Sequence, residues 1–220
     1  REENLALATY SDLTGAITSW MYARADIAAN ADDFIDLAEA NINYGIEDPM
    51  TKEVVKLRCR DMETTTEITP DAEGHATLPT DFLEWRQVTS TDNPRRNLDL
   101  VAPSYSENRY GYRESDLPEH FDIVGTELRV YPVSTTIIEL IYYAKVAALS
   151  STNTTNWLFT KFPNIYLDGC IYHASKWLRN SPEDTLYFQS EFIKGIRSLS
   201  ETDKASRWAR AGTLSSGQRP

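Results

Sequence analysis

Between Tyr10 and Ala25 the apolar positions recur with a helical period, and Leu13, Ala16, Ile17, Trp20 and Met21 fall on one stripe. Ser11 stands where an N-cap would stand. A second stripe of Phe34, Ile35, Leu37, Ala38 and Ile42 predicts a helix from about Ala31 to Tyr44. Asp32 and Asp33 occupy its first turn, where the partial positive charge of a helix start favours acids, and Gly45 follows as C′ residue. The short link between the two predicts an antiparallel helical hairpin.

From Val54 to Tyr143 the pattern changes to Thr, Val, Ile and Tyr with closely spaced turn residues, which predicts a small antiparallel sheet. Three turns punctuate it. Asp71-Ala72-Glu73-Gly74 separates 61–69 from 76–78, Thr91-Asp92-Asn93-Pro94 separates 83–90 from 97–101, and Gly125-Thr126 separates 121–124 from 128–131. Thr136 to Ala144 closes the region. Pro103 to Gly111 is polar and Tyr-rich, a short helix or loop.

Helical spacing returns at Phe162 with Ile165, Tyr166, Ile171, Ala174, Trp177 and Leu178, and stops near Asn180. Ser181-Pro182-Glu183 is a helix start, with Ser as N-cap and Pro at N1. Leu186, Phe188, Phe192, Ile196 and Leu199 are the expected buried face of a last helix reaching about Ala205. The expected fold class is α+β: a helical bundle from N- and C-terminal helix hairpins, with an inserted small antiparallel β-sheet and an extended C-terminal tail. The boundaries are 1–48 for the first hairpin, 49–148 for the β-rich insertion, 149–205 for the second hairpin and 206–220 for the tail.

Composition adds a class and a charge asymmetry. Hydrophobic residues are 41% and charged residues 25% of 220, the balance of a globular protein, and 12 Tyr and 5 Trp suit interfaces as well as cores. No run approaches the ~20 apolar residues of a transmembrane helix. The formal charge is −11, which disfavours wrapping DNA. Lys204, Arg207, Arg210 and Arg219 are the ionisable side chains from position 204 onward, so the last segment carries +4 and the preceding body −15. Trp208 and Leu214 add apolar anchors, and the segment can lie extended against acidic grooves.

Reactive chemistry is sparse. Cys59 and Cys170 belong to no CxxC or Cys/His cluster and read as buried free thiols, while His75, His120 and His173 fall in three separate elements. There is no G-x-S-x-G and no phosphate-cradling glycine loop. The acidic pairs Asp32-Asp33 and Glu183-Asp184 are explained by helix starts. The expectation is no enzyme, no metal and no cofactor. Tyr105, Tyr110 and Tyr112 alternate with Arg109 and Arg113, an arrangement also suited to stacking single-stranded nucleic acid, but Glu107, Glu114 and Asp116 dilute the charge and the expectation is a protein-contacting loop. The competing readings are a protein- or carbohydrate-binding module using that loop, and a hydrolase with an unrecognised carboxylate pair.

Several segments, in order, resemble the tailed-bacteriophage head–tail adaptor (connector) family. Leu78-Pro79-Thr80-Asp81-Phe82 is similar to its LP-x-DF strand entry, and Arg58-Cys59-Arg60-Asp61-Met62-Glu63 to its R-x-R-x-M-E stretch. Tyr10 to Leu13 and Phe34 to Glu39 resemble its first two helices. Ile141 to Ala144, Leu149-Ser150 and Thr155 to Leu158 resemble the exit from its sheet. The resemblance implies a virion structural protein, assembled in the host bacterial cytoplasm, that forms a homo-oligomeric ring, usually of twelve copies. One face would dock on the portal protein, through the C-terminal segment, and the other would receive tail or nozzle proteins. DNA would pass without sequence-specific binding, with no membrane contact, and an acidic lumen would keep it from sticking.

Overall fold

The computed structural model describes residues 7–104, 109 and 117–208, the last three as backbone. The chain forms two compact units, Arg1–Asp61 with Val146–Pro220, and Met62–Lys145.

In the first unit, α1 (Tyr10–Trp20) starts at Thr9, not at Ser11. Thr9 Oγ1 accepts from the Asp12 amide at 3.3 Å and Asp12 Oδ2 accepts from the Thr9 amide at 2.9 Å, a reciprocal capping box. The helix is shorter than its periodicity predicts because Tyr22 and Ala23 take positive φ and turn the chain. A five-residue helix, α2 (Ala25–Ala29), then interrupts the expected direct hairpin. α3 spans Ala31–Tyr44 and ends on Gly45 at φ 104°. A two-stranded sheet follows, β1 (Ile46–Glu47) against β2 (Val54–Val55).

After the second unit the chain returns as α4 (Trp157–Lys161), α5 (Pro163–Trp177) and α6 (Pro182–Trp208). α5 packs against both α3 and α6. Gly169 permits this: a Cβ there would lie 2.9 Å from the Phe192 ring of α6 and 3.0 Å from Ala38 Cβ of α3. Leu13, Ile17, Ile35, Ile42, Tyr166, Phe192 and Ile196 are fully or nearly fully buried around it. The apolar stripes read from sequence are wider than the buried faces, since Trp20, Leu37 and Leu186 are largely exposed.

The second unit contains β3 (Glu63–Ile68), β4 (His75–Thr77), β5 (Phe82–Ser90), β6 (Arg96–Asn97), β7 (Asp99–Leu100), β8 (His120–Val124), β9 (Glu127–Tyr131) and β10 (Ile138–Ala144). They form two four-stranded sheets, ordered β3-β10-β5-β6 and β4-β9-β8-β7. The second is mixed, because β7 pairs parallel to β8. Val88, Ile138, Leu140 and Tyr142 from one sheet meet Phe121, Leu128 and Val130 from the other in one core. Trp85 meets Phe121 edge-on at 5.3 Å between centroids.

The fold class expected from sequence is therefore corrected. The protein is α+β, but among the described residues six α-helices and three sheets, antiparallel and mixed, span the chain. It is not a helical bundle carrying one small antiparallel insertion. The predicted hairpin around Asp71–Gly74 is also overturned, because β3 pairs with β10 while β4 pairs with β9. The β5–β6 and β8–β9 hairpins do form.

Candidate functional site

The expected portal-docking residues begin on α6. Lys204 is exposed on its penultimate turn, and the backbone of Arg207 and Trp208 completes the last turn. These two residues therefore lie in a helix and not in an extended segment starting at 206. Arg210, Leu214 and Arg219 lie outside the described residues. So do Tyr105, Tyr110, Tyr112 and Arg113 of the Tyr-rich loop, whereas Arg109 is described and exposed.

α6 is held at several points along its length within its unit. Asp203 Oδ2 accepts from the Arg60 amide at 3.2 Å. Arg197 pairs with Asp48 at 2.8 Å, and Asp48 Oδ1 also accepts from the Met50 amide at 2.8 Å. Gln189 donates to the Glu47 carbonyl at 3.0 Å. Two troughs lie along this seam. One, of about 530 Å³, is lined by Asp48, Met50, Ile193, Arg197 and Thr202, among others. The other, of about 310 Å³, gathers Lys56, Arg58, Arg197 and Lys204 with Glu53 and Glu201. Sequence reading singled out Lys204 but missed Lys56 and Arg58, which approach it only through the fold.

A buried polar knot fixes the chain as it re-enters this unit. Glu39 Oε1 accepts from the Leu149 amide at 2.8 Å and from the Tyr166 hydroxyl at 3.1 Å. Asn43 Oδ1 accepts from the Val146 amide at 2.9 Å. Asn156 caps α4 by accepting from the Phe159 amide at 2.8 Å, and its amide donates to the Ala147 carbonyl and the Tyr166 hydroxyl at 2.7 and 2.6 Å. Each buried polar atom named here thus has the partner that burial demands. Burial pushes the Glu39 carboxyl up to about 7, with Asp36 adding in the same direction and the Leu149 and Tyr166 donors opposing. The sequence reading quoted Glu39 only within the helix resemblance and gave it no role, although it sits on the apolar side of α3, four residues after Ile35, which was the available signal.

The two thiols and His173 are withdrawn from solvent. Cys59 and Cys170 are both free and buried, and burial raises the Cys170 thiol well above its ordinary value, away from the reactive thiolate. Burial lowers His173 to about 4, with Lys176 adding, and its ring bonds Asn41 at 2.8 Å. Among the described residues no group of three or more His, Cys, Asp or Glu could hold a metal ion. No described helix is long and apolar enough to cross a membrane.

What the chain presents is a fixed framework with a charged helical end, the attributes of a structural assembly protein. A family model for the SU10 adaptor protein matches residues 8–215, so the chain belongs to that family of phage head–tail adaptors and is a phage structural protein. No curated protein matches it.

Proposed function

We propose that the protein builds the ring, of twelve copies, that joins the phage head to its tail. One face docks beneath the portal protein and the other receives tail or nozzle proteins, with DNA passing through the lumen. The role is structural, and the subunits fold in the host cytoplasm before entering the virion. The observation that carries this reading is the segregated charge: a body of −15 ends in a +4 segment that begins on the last turns of a helix pinned by the Arg197–Asp48 ion pair and by Asp203 accepting from the Arg60 amide. Lys204, Arg207, Trp208, Arg210, Leu214 and Arg219 would engage an acidic, partly apolar surface of the portal. Chain truncated after Asp203 is expected to keep its fold by circular dichroism and to lose co-sedimentation with the portal. Unchanged co-sedimentation refutes the docking role of this segment. The acidic body would make a lumen that repels DNA; a map of the assembled ring with a neutral or basic lumen contradicts that part.

A further inference from the structure

The smaller trough has the opposite charge to the rest of the molecule. Four cations, Lys56, Arg58, Arg197 and Lys204, converge on it against two acids, Glu53 and Glu201. Two of the cations are held in place before any partner arrives. Arg58 donates to the Asn43 and Leu57 carbonyls at 3.0 and 2.6 Å, and Arg197 is paired with Asp48. A partner therefore immobilises fewer long side chains on binding. Val54, 64% exposed, gives the trough an apolar wall.

A complementary surface occurs on the same chain. The outward ridge of α3 carries Asp33, Asp36, Leu37 and Ala40, all exposed, and ends at exposed Tyr44. Among the described residues, neither Asp33 nor Asp36 takes part in an ion pair. The two features match in length: Arg197 to Lys204 on the trough wall and Asp33 to Ala40 on the ridge are each eight residues of helix, seven steps and about 10 Å from first to last. They match in kind as well, acids facing cations and Leu37 facing Val54.

We propose that the trough between the residue 54–58 segment and α6 receives the Asp33–Ala40 ridge of α3 from a second copy of the chain. Glu53 and Glu201 in the trough walls favour this occupant over a nucleic-acid backbone, which needs an unbroken track of positive charge. Because trough and ridge are different surfaces, the contact is heterologous, and its repetition closes a ring when the rotation permits. This rests on the ring reading given above and assigns that ring its side-to-side contact.

Charge exchange in the full-length chain tests it, with the variants K56E, D33K/D36K and their combination, all at exposed positions. Self-association is measured by analytical ultracentrifugation, and copy number on the portal by native mass spectrometry. K56E and D33K/D36K are each expected to weaken association at least tenfold, and the combined chain, whose trough falls from +2 to 0 against a ridge of +2, to associate at least threefold more tightly than D33K/D36K alone. An unchanged constant for either separate variant, no recovery in the combination, or a native chain that is monomeric both free and on the portal overturns the proposal. Reversals without effect, together with portal binding lost on truncation after Lys204, which leaves all four trough cations in place, would sink this contact and leave the docking role standing. Reversals that act as expected, with truncation harmless, would do the opposite.

Discussion

Replacing Glu39 by Gln should change how stability depends on pH more than it changes stability itself. The Gln carbonyl can still accept from the Leu149 amide and the Tyr166 hydroxyl, so the geometry of the knot is kept. What disappears is a titration. The Glu39 carboxyl rises from 4.5 to about 7 in the folded chain. Below pH 4.5 it is protonated in both states and costs nothing. Between 4.5 and 7 the unfolded chain releases the proton while the folded chain retains it, so stability falls as pH rises, by about 3 kcal/mol in all. His173 works in the opposite sense. Its folded value is about 4 against 6.5, so the unfolded chain binds the extra proton in that window and stability rises with pH by a similar amount. The two slopes nearly cancel between pH 4.5 and 6.5. Over that range Glu39 and His173 offset each other in the native chain, so Glu39→Gln should gain stability relative to it in urea unfolding as pH rises. The difference between the two proteins should widen by about 3 kcal/mol from pH 4.5 to 7. A difference that stays constant within about 0.5 kcal/mol would show that the carboxyl does not titrate as its burial requires.

Two packing predictions accompany it. Gly169→Ala places a methyl against Phe192 and Ala38, costing about 1–3 kcal/mol of overpacking against about 1 kcal/mol of helix propensity gained. A lower melting temperature is expected, and an equal or higher one contradicts the close approach of the three helices. Asn156→Ala removes the α4 cap and leaves buried partners unpaired, for a loss of about 2–4 kcal/mol in denaturant titration. A loss under about 1 kcal/mol would mean that the Asn156 contacts are not formed.

Signals confined to a few neighbouring residues were legible, and those needing a distant partner were not. α3, with its terminal Gly45, and the β8–β9 hairpin, whose Gly125 takes φ 64°, follow directly from local pattern. The Asp71–Gly74 turn is also present, with Gly74 donating to the Asp71 carbonyl at 3.0 Å. Its flanking strands still part, because each finds a longer-range partner in a different sheet. α2 is too short to show a period. In the candidate site, Lys204 stood out through its place in a basic run, whereas Arg58 and Lys56 gain their meaning from a helix more than a hundred residues away. Glu39 likewise takes its role from Leu149 and Tyr166.

The order in which partners appear along the chain also sets a timetable for synthesis. β10 pairs with both β3 and β5, so the first sheet of the second unit stays without its middle strand until Ala144 has left the ribosome. α3 must wait longer, because the helix it packs against ends at Trp177. At a few to about twenty residues per second, the apolar side of α3 stays uncovered for on the order of ten seconds. During that interval the uncovered side of α3 is open to association with other chains.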